Sequence, residues 1–107
     1  MKFALLLVVA LAANAHAGGD PVKGQQKAQQ VCAACHGPDG NKPSAPDQPV
    51  LAGQYQDYLE RALTDYKNGR RNNAIMKGFA GQLSKQDIED LAAWFSSQTR
   101  TSLHDQR

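Results

Sequence analysis

The only two cysteines of this chain lie beside a histidine, in the run Cys32-Ala33-Ala34-Cys35-His36. Two cysteines at this spacing on one helical turn project toward the same side, so both thiols can form thioethers with the vinyl groups of one haem. The adjoining His36 then lies over the iron as an axial ligand. The spacing therefore predicts one covalently bound haem c, around which the rest of the chain must fold.

The same cysteine pair is compatible with three other kinds of site. A redox dithiol of the thioredoxin kind also uses Cys-x-x-Cys, but in an α/β context, and no segment here alternates with the period of a strand. A structural zinc site needs four ligands, and after residue 17 the chain offers only Cys32, Cys35, His36 and His104. A plain disulfide is the third alternative, although it leaves His36 without a role.

Composition supports the haem interpretation. Leu, Ile, Val and Phe together number 13 among the 90 residues from Gly18 to Arg107. So low a share is typical of disordered chains, yet their high net charge is absent, since 12 Lys and Arg face 10 Asp and Glu. A macrocycle would supply the missing apolar surface. The same near-neutral balance gives no electrostatic reason to expect a nucleic-acid partner.

The first seventeen residues have the features of a secretory signal. Lys2 precedes an unbroken apolar run from Phe3 to Ala13, and Ala15-His16-Ala17 fits a signal peptidase site. These 11 apolar residues are too few to span a bilayer, which needs about 20. We therefore expect cleavage of residues 1–17, with an uncleaved anchor as the alternative. The mature chain, residues 18–107, then has no membrane span and is periplasmic.

Apolar periodicity predicts an all-α domain of four to five short helices, with its core at about 20–97 and a loose tail at 98–107. Three longer helices are expected at Asp20–Cys35, about Gln54–Lys67 and Lys85 to about Ser97. Residues 37–53 hold four prolines and form a long loop. Arg70 to Leu83 is expected to be irregular, with one short turn near Ala74.

Met76 is the candidate for the second axial position of the iron. It is the only methionine after residue 17, and it lies between two helices, where the chain can cross the far face of a haem. Lys77, which is charged at neutral pH, and His104, in the tail, are the alternatives. A His/Met pair raises the reduction potential and leaves no open position for a substrate, which favours electron transfer over catalysis.

These features resemble those of class I cytochromes c, over about residues 20–97. The motifs that carry the resemblance are Cys32–Gly37, Pro49–Tyr55, Met76 and Leu91–Phe95. The chain looks most similar to short soluble bacterial members of the cytochrome c553 kind, which are also similar to one half of the dihaem bacterial cytochromes. In that family, as here, the haem motif is near the N-terminus and the methionine precedes the final helix.

The resemblance implies further roles. Pro49 matches the proline whose carbonyl accepts the Nδ1 proton of the haem histidine and so orients His36. Gly24 and Trp94 match the positions where the first and last helices cross. One departure from many relatives is that no proline adjoins Met76. The candidates for holding the haem propionates are Tyr58, Arg70 and Arg71.

Together these inferences predict a soluble periplasmic monohaem cytochrome, monomeric, that carries single electrons between larger redox proteins. The chain is not expected to be an enzyme, because its carboxylates are dispersed and no residues are arranged for acid-base or nucleophilic catalysis. Two alternatives stay open. One is a small haem subunit of an oxidoreductase complex. The other, if Met76 does not ligate iron, is a haem peroxidase or gas-binding protein.

Overall fold

The computed structural model describes residues 4–5 and 18–101, which form five α-helices and no strand. The helices are α1 Pro21–Val31, α2 Ala33–His36, α3 Gln56–Asn68, α4 Ala74–Ala80 and α5 Lys85–Ser97. The predicted all-α class with four to five short helices is therefore confirmed. No helix in the described ranges has the length and hydropathy that a bilayer crossing requires. Most of the predicted signal segment and His104 lie outside the described residues.

The first predicted helix is interrupted at Cys32, which separates α1 from α2. Asp20 caps α1, and its Oδ1 accepts a hydrogen bond from the backbone N–H of Val22 at 2.9 Å. At Cys32 the backbone turns to φ −113° and ψ −33°. The N–H of Cys32 still donates to the carbonyl of Ala28 at 2.9 Å, and the N–H of His36 donates to the carbonyl of Cys32 at 3.0 Å. The prediction of one helix is thus wrong in its continuity, because α1 ends at Val31 and α2 begins at Ala33; there the N–H of Cys35 donates to the carbonyl of Cys32, three positions back, at 3.2 Å.

The segment expected to be irregular contains a helix, α4. Its N-terminus is capped by Asn73, whose side-chain oxygen accepts hydrogen bonds from the N–H groups of Ile75 and Met76, both at 3.1 Å. The predicted short turn near Ala74 therefore extends over seven residues. Met76 lies in the first turn of this helix instead of in a loop, so the position of its side chain is set by a regular backbone.

The core lies where α5 packs against α1 and α3. Its buried side chains come mainly from α5, with contributions from α1, α3 and the segment before α5; they are Ala28, Leu59, Leu83, Ile88, Leu91, Ala92 and Phe95. Leu91 is the largest side chain buried completely. This cluster is small, as the composition indicated, and it forms one wall of the site described below.

Helices α1 and α5 approach so closely at Gly24 that no side chain fits between them. A Cβ atom placed on Gly24 would lie 1.9 Å from the carbonyl oxygen of Asp90 and 2.9 Å from Cβ of Trp94. The structure therefore places Gly24 and Trp94 at the crossing of the first and last helices. Trp94 is only partly buried, and its indole N–H donates to the carbonyl of Pro38 at 3.2 Å.

Replacing Gly24 with alanine should destabilise the fold by at least about 2 kcal/mol, because the new methyl group meets the backbone of α5 and forces the helices apart. The matched control is Gly78→Ala, since a Cβ at Gly78, also in a helix, has no atom within 4 Å. That control should be neutral, or stabilising by up to about 1 kcal/mol, as alanine favours helix. Denaturant titration of the haem-loaded protein measures both. Equal free energies of unfolding for the Gly24→Ala and Gly78→Ala variants would contradict the close approach of α1 and α5.

The chain after α5 differs from the predicted loose tail in its first residues. The side-chain amide of Asn41, which is buried, donates to the carbonyl of Thr99 at 3.0 Å and accepts from the N–H of Thr101 at 2.8 Å. The guanidinium of Arg100 donates to the carbonyl of Ala52 at 2.9 Å. These hydrogen bonds hold residues 99–101 against the loop after α2. Residues 102–107 lie outside the described part of the chain.

Candidate functional site

A cavity of about 1160 Å³ is bounded by residues from all five helices and from the loop between α2 and α3. Pockets that bind small molecules and cofactors usually measure about 300–1,000 Å³. The apolar part of the wall includes Val31, Val50, Leu51, Leu59, Leu63, Phe79, Leu91 and Phe95. So large an apolar cavity in so short a chain indicates that a sizeable cofactor completes the domain.

His36 lies in the wall of this cavity at the end of α2 and is 6% exposed. Its Nδ1 lies 2.9 Å from the carbonyl oxygen of Pro49. A carbonyl can only accept, so Nδ1 carries the proton and Nε2 keeps its lone pair. Burial lowers the pKa of His36, against the opposing effect of the Pro49 hydrogen bond. The imidazole is therefore held in the neutral form, which is the form that binds iron.

Cys32 and Cys35 line the same cavity as His36, and no disulfide joins them. Burial, and to a lesser extent the charge of Cys35, raises the pKa of Cys32 to about 11. Redox-active dithiols have thiol pKa values of about 3.5–7.5, so this environment is the reverse of theirs. The described residues also contain no cluster of three or more His, Cys, Asp or Glu that could hold a metal ion. The dithiol and zinc alternatives thus gain no support.

Met76 reaches the cavity from α4, and its side chain is half-buried there. The neighbouring Lys77 is exposed and does not contribute to the cavity wall. The fold therefore brings Met76 to the cavity that holds His36, although 40 residues separate them along the chain. Two alternative ligands were considered from the sequence. Lys77 does not line this cavity, and His104 lies outside the described residues.

The residues present fit a haem. A pair of thiols, a neutral imidazole and a thioether face one cavity whose walls are mostly apolar. Two large side chains of that wall, Tyr58 and Phe79, are 47% and 41% exposed. A flat apolar macrocycle in the cavity would cover such surfaces. Cys32, Cys35 and His36 would hold it at one wall, with Met76 as the candidate second axial ligand.

Two contributors to the site are not apparent from the motifs. Asn73 caps α4 and so sets the position of Met76. Tyr66 lies in the cavity wall under the side chain of Arg71. An asparagine followed by a short apolar run is a helix-start signal that could have revealed the first. Only the tertiary structure places Tyr66 against Arg71.

Comparisons with known proteins support the same kind of site. Residues 21–99 match the family model described as Cytochrome c. The cytochrome c4 of Pseudomonas aeruginosa is 51% identical over 94 residues, which cover 88% of this chain and 46% of that protein. Cytochrome c-554(548) of Halomonas halodenitrificans is 45% identical over 83 residues, which cover 75% of this chain and 98% of that protein.

A solved structure has the same fold. The crystal structure of reduced recombinant cytochrome c4 from Pseudomonas stutzeri matches with a TM-score of 0.71 and 46% identity, over 78% of this chain and 47% of that one. The chain thus spans about half the length of the cytochrome c4 relatives that it matches.

Proposed function

Since this chain belongs to the cytochrome c family, whose members transfer electrons and carry covalently attached haem c, we propose that it is a periplasmic monohaem carrier of single electrons. The observation that carries the proposal is the shared cavity of Cys32, Cys35, His36 and Met76. The relatives are electron-transfer proteins and not enzymes, in agreement with the interpretation of the sequence.

In the proposed site, Cys32 and Cys35 would hold the haem covalently, and His36 and Met76 would bind its iron. When bound, the haem supplies a reversible one-electron couple. The carbonyl of Pro49 keeps the proton on Nδ1 of His36 and strengthens Nε2 as a donor. The thioether of Met76 would favour ferrous iron and would leave no position on the iron open for a substrate. The apolar wall excludes water, which also raises the potential.

Two observations support one haem for the domain that these residues form. The 107 residues contain one Cys-x-x-Cys-His motif. The Halomonas halodenitrificans relative is matched over 98% of its own length, so a domain of this kind occurs as a protein by itself. A monomer remains the expectation from the sequence.

The proposed location and partners follow from the chemistry. Haem attachment to Cys-x-x-Cys-His takes place outside the cytoplasm, and residues 1–17 have the pattern of a secretory signal. A one-electron carrier requires a donor and an acceptor. Relatives include proteins named as the cytochrome subunit of sulfide dehydrogenase and as the electron acceptor of thiosulfate dehydrogenase. These names support larger oxidoreductases as the redox partners.

Intact mass spectrometry tests the proposal directly. The protein exported by a host with haem-attachment machinery should have the mass of residues 18–107 plus one haem, and should titrate as a one-electron couple. Export from the same host without that machinery is the control, and it should yield no haem adduct. A mass with two free thiols or a disulfide in the first host would reject the haem site. A mass that places the N-terminus of the exported protein at a residue other than 18 would reject only the predicted cleavage position.

A further inference from the structure

The two ends of α4, the helix that carries Met76, are held in different ways. At and just after its C-terminal end, Ala80 and Leu83 are buried. The side-chain amine of Lys67, on α3, donates a hydrogen bond to the carbonyl of Leu83. At the other end, residues 70–75 are all exposed. The N-terminal half of α4 therefore lies against the cavity and not against the protein core.

The N-terminal end of α4 depends on Asn73. Its Oδ1 accepts hydrogen bonds from the N–H groups of Ile75 and Met76, both at 3.1 Å. Its backbone carbonyl accepts the first hydrogen bond within the helix, from the N–H of Lys77 at 2.8 Å. The N–H groups of a first turn have no partner inside their own helix, so a capping side chain supplies one. One of the two N–H groups capped here is that of Met76 itself.

The shortness of α4 makes this cap important. The helix has seven residues, and so short a helix has little stability by itself, because its first turn fixes several residues for one hydrogen bond. Gly78 lowers the helix propensity further. Among the described residues, α4 packs mainly on α3. Without the cap, fraying starts at the exposed end, and the turn that contains Met76 is lost first.

We propose that Asn73 is a positioning residue that keeps the thioether of Met76 on the haem iron. This rests on the proposed function, in which Met76 is the second axial ligand. Two states then exchange: the first turn of α4 is formed with the thioether held at the iron, or the turn is frayed with the thioether released. The hydrogen bonds of Asn73 exist only in the first state, so they shift the population toward it.

The cap thus determines how often the iron is open. Loss of an asparagine cap changes such an equilibrium by about fivefold, within a range of about twofold to thirtyfold. Small molecules such as carbon monoxide and peroxide need an open position on the iron, whereas electron transfer does not. Asn73 therefore suppresses side reactions of the haem and keeps the protein a carrier.

The test measures how fast carbon monoxide binds to the ferrous, haem-loaded protein at low gas concentration. There the rate is proportional to the fraction of molecules with the thioether released. Asn73→Ala should raise the rate about fivefold, whereas Asn73→Ser, which keeps a capping oxygen, should match the unmutated protein. The matched control is Asn72→Ala, which should also leave the rate unchanged. Asn72 is exposed and lines the cavity as Asn73 does, but it does not cap α4.

Two further measurements separate a local effect on Met76 from a general loss of stability. Gly24→Ala loosens the crossing of α1 and α5, so it should lower the free energy of unfolding without raising the carbon monoxide rate. Amide hydrogen exchange at Ile75 and Met76 should quicken in Asn73→Ala by about the same factor as carbon monoxide binding. If Asn73→Ala does not fold, Asn73→Gly takes its place with an expected increase of about twofold, since glycine is the milder replacement.

Equal carbon monoxide rates for Asn73→Ala and Asn72→Ala would overturn the role of Asn73 alone. An equally large increase in Gly24→Ala would do the same, because the rate would then follow global stability. If the unmutated protein binds carbon monoxide as fast as Met76→Ala does, Met76 is not the ligand. That result, or a protein without covalent haem, would overturn the proposed function as well.

Discussion

A Cys32→Ser, Cys35→Ser double variant, exported without haem, should be largely disordered. The main core cluster contains only seven buried residues, α1 and α2 make little direct packing with α3 and α4, and all four helices contribute to the cavity wall. An empty apolar cavity costs roughly 24 cal/mol per Å³. At that rate about 300 Å³ left unfilled costs about 7 kcal/mol, comparable with the whole stability of a small domain. Circular dichroism and thermal melting measure the result.

The matched control for this experiment is an Ala33→Ser, Ala34→Ser double variant. It introduces the same two hydroxyl groups into the same turn and leaves both thiols in place. We expect it to carry haem and to melt cooperatively. A cooperative transition in the haem-free cysteine variant would mean that the apolar cluster folds by itself, and the interpretation of the sparse core would then be wrong.

Met76→Ala should convert the carrier into a haem protein with an open iron position. Loss of the thioether should remove the weak red absorption band of the iron–sulfur bond and let carbon monoxide and peroxide bind. The potential should fall by on the order of 100–300 mV, part of the roughly 0.8 V over which axial ligands set haem potentials. Optical titration of the ferrous protein with carbon monoxide, together with spectroelectrochemistry, measures both effects.

Lys77→Ala is the control for Met76→Ala. Lys77 adjoins Met76 but is exposed and outside the cavity wall, so its removal should leave the spectrum and the carbon monoxide affinity unchanged. If Lys77→Ala instead opens the iron, the ligand is the lysine. If the unmutated protein already binds carbon monoxide rapidly at neutral pH, Met76 is no stable ligand, and the peroxidase or gas-binding alternative is favoured.

Local signals predicted the helix ends well where a cap is complete. Ser84 and Asp87 form a reciprocal capping box, and α5 runs over Lys85–Ser97 as expected. Asp20 and Pro21 likewise mark the start of α1. Each of these signals involves residues within four positions of one another, so the sequence contains all of the interaction.

Where prediction failed, the deciding interactions were weaker or more distant. Helix α4 contains Gly78, which lowers helix propensity, and it is stabilised by the Asn73 cap and by packing on α3. The interruption between α1 and α2 at Cys32 has no breaker residue, since neither glycine nor proline occurs from Gln25 to His36. The hydrogen bonds of Asn41 to residues 99 and 101 span about sixty positions, and no local pattern indicates them.

The proposed haem site likewise combines residues that are neighbours along the chain with contacts between distant segments. Cys32, Cys35 and His36 are adjacent along the chain, so their chemistry is apparent from the sequence by itself, together with the need for a cofactor to complete a sparse core. Pro49 meets His36 across 13 positions, and Arg71 meets Tyr58 across 13. Only the tertiary structure decides those contacts, because they depend on where the 37–53 loop and the turn after α3 return to the cavity. Spacing along one helical turn is set by backbone geometry, whereas contacts between separate elements are set by how the helices pack.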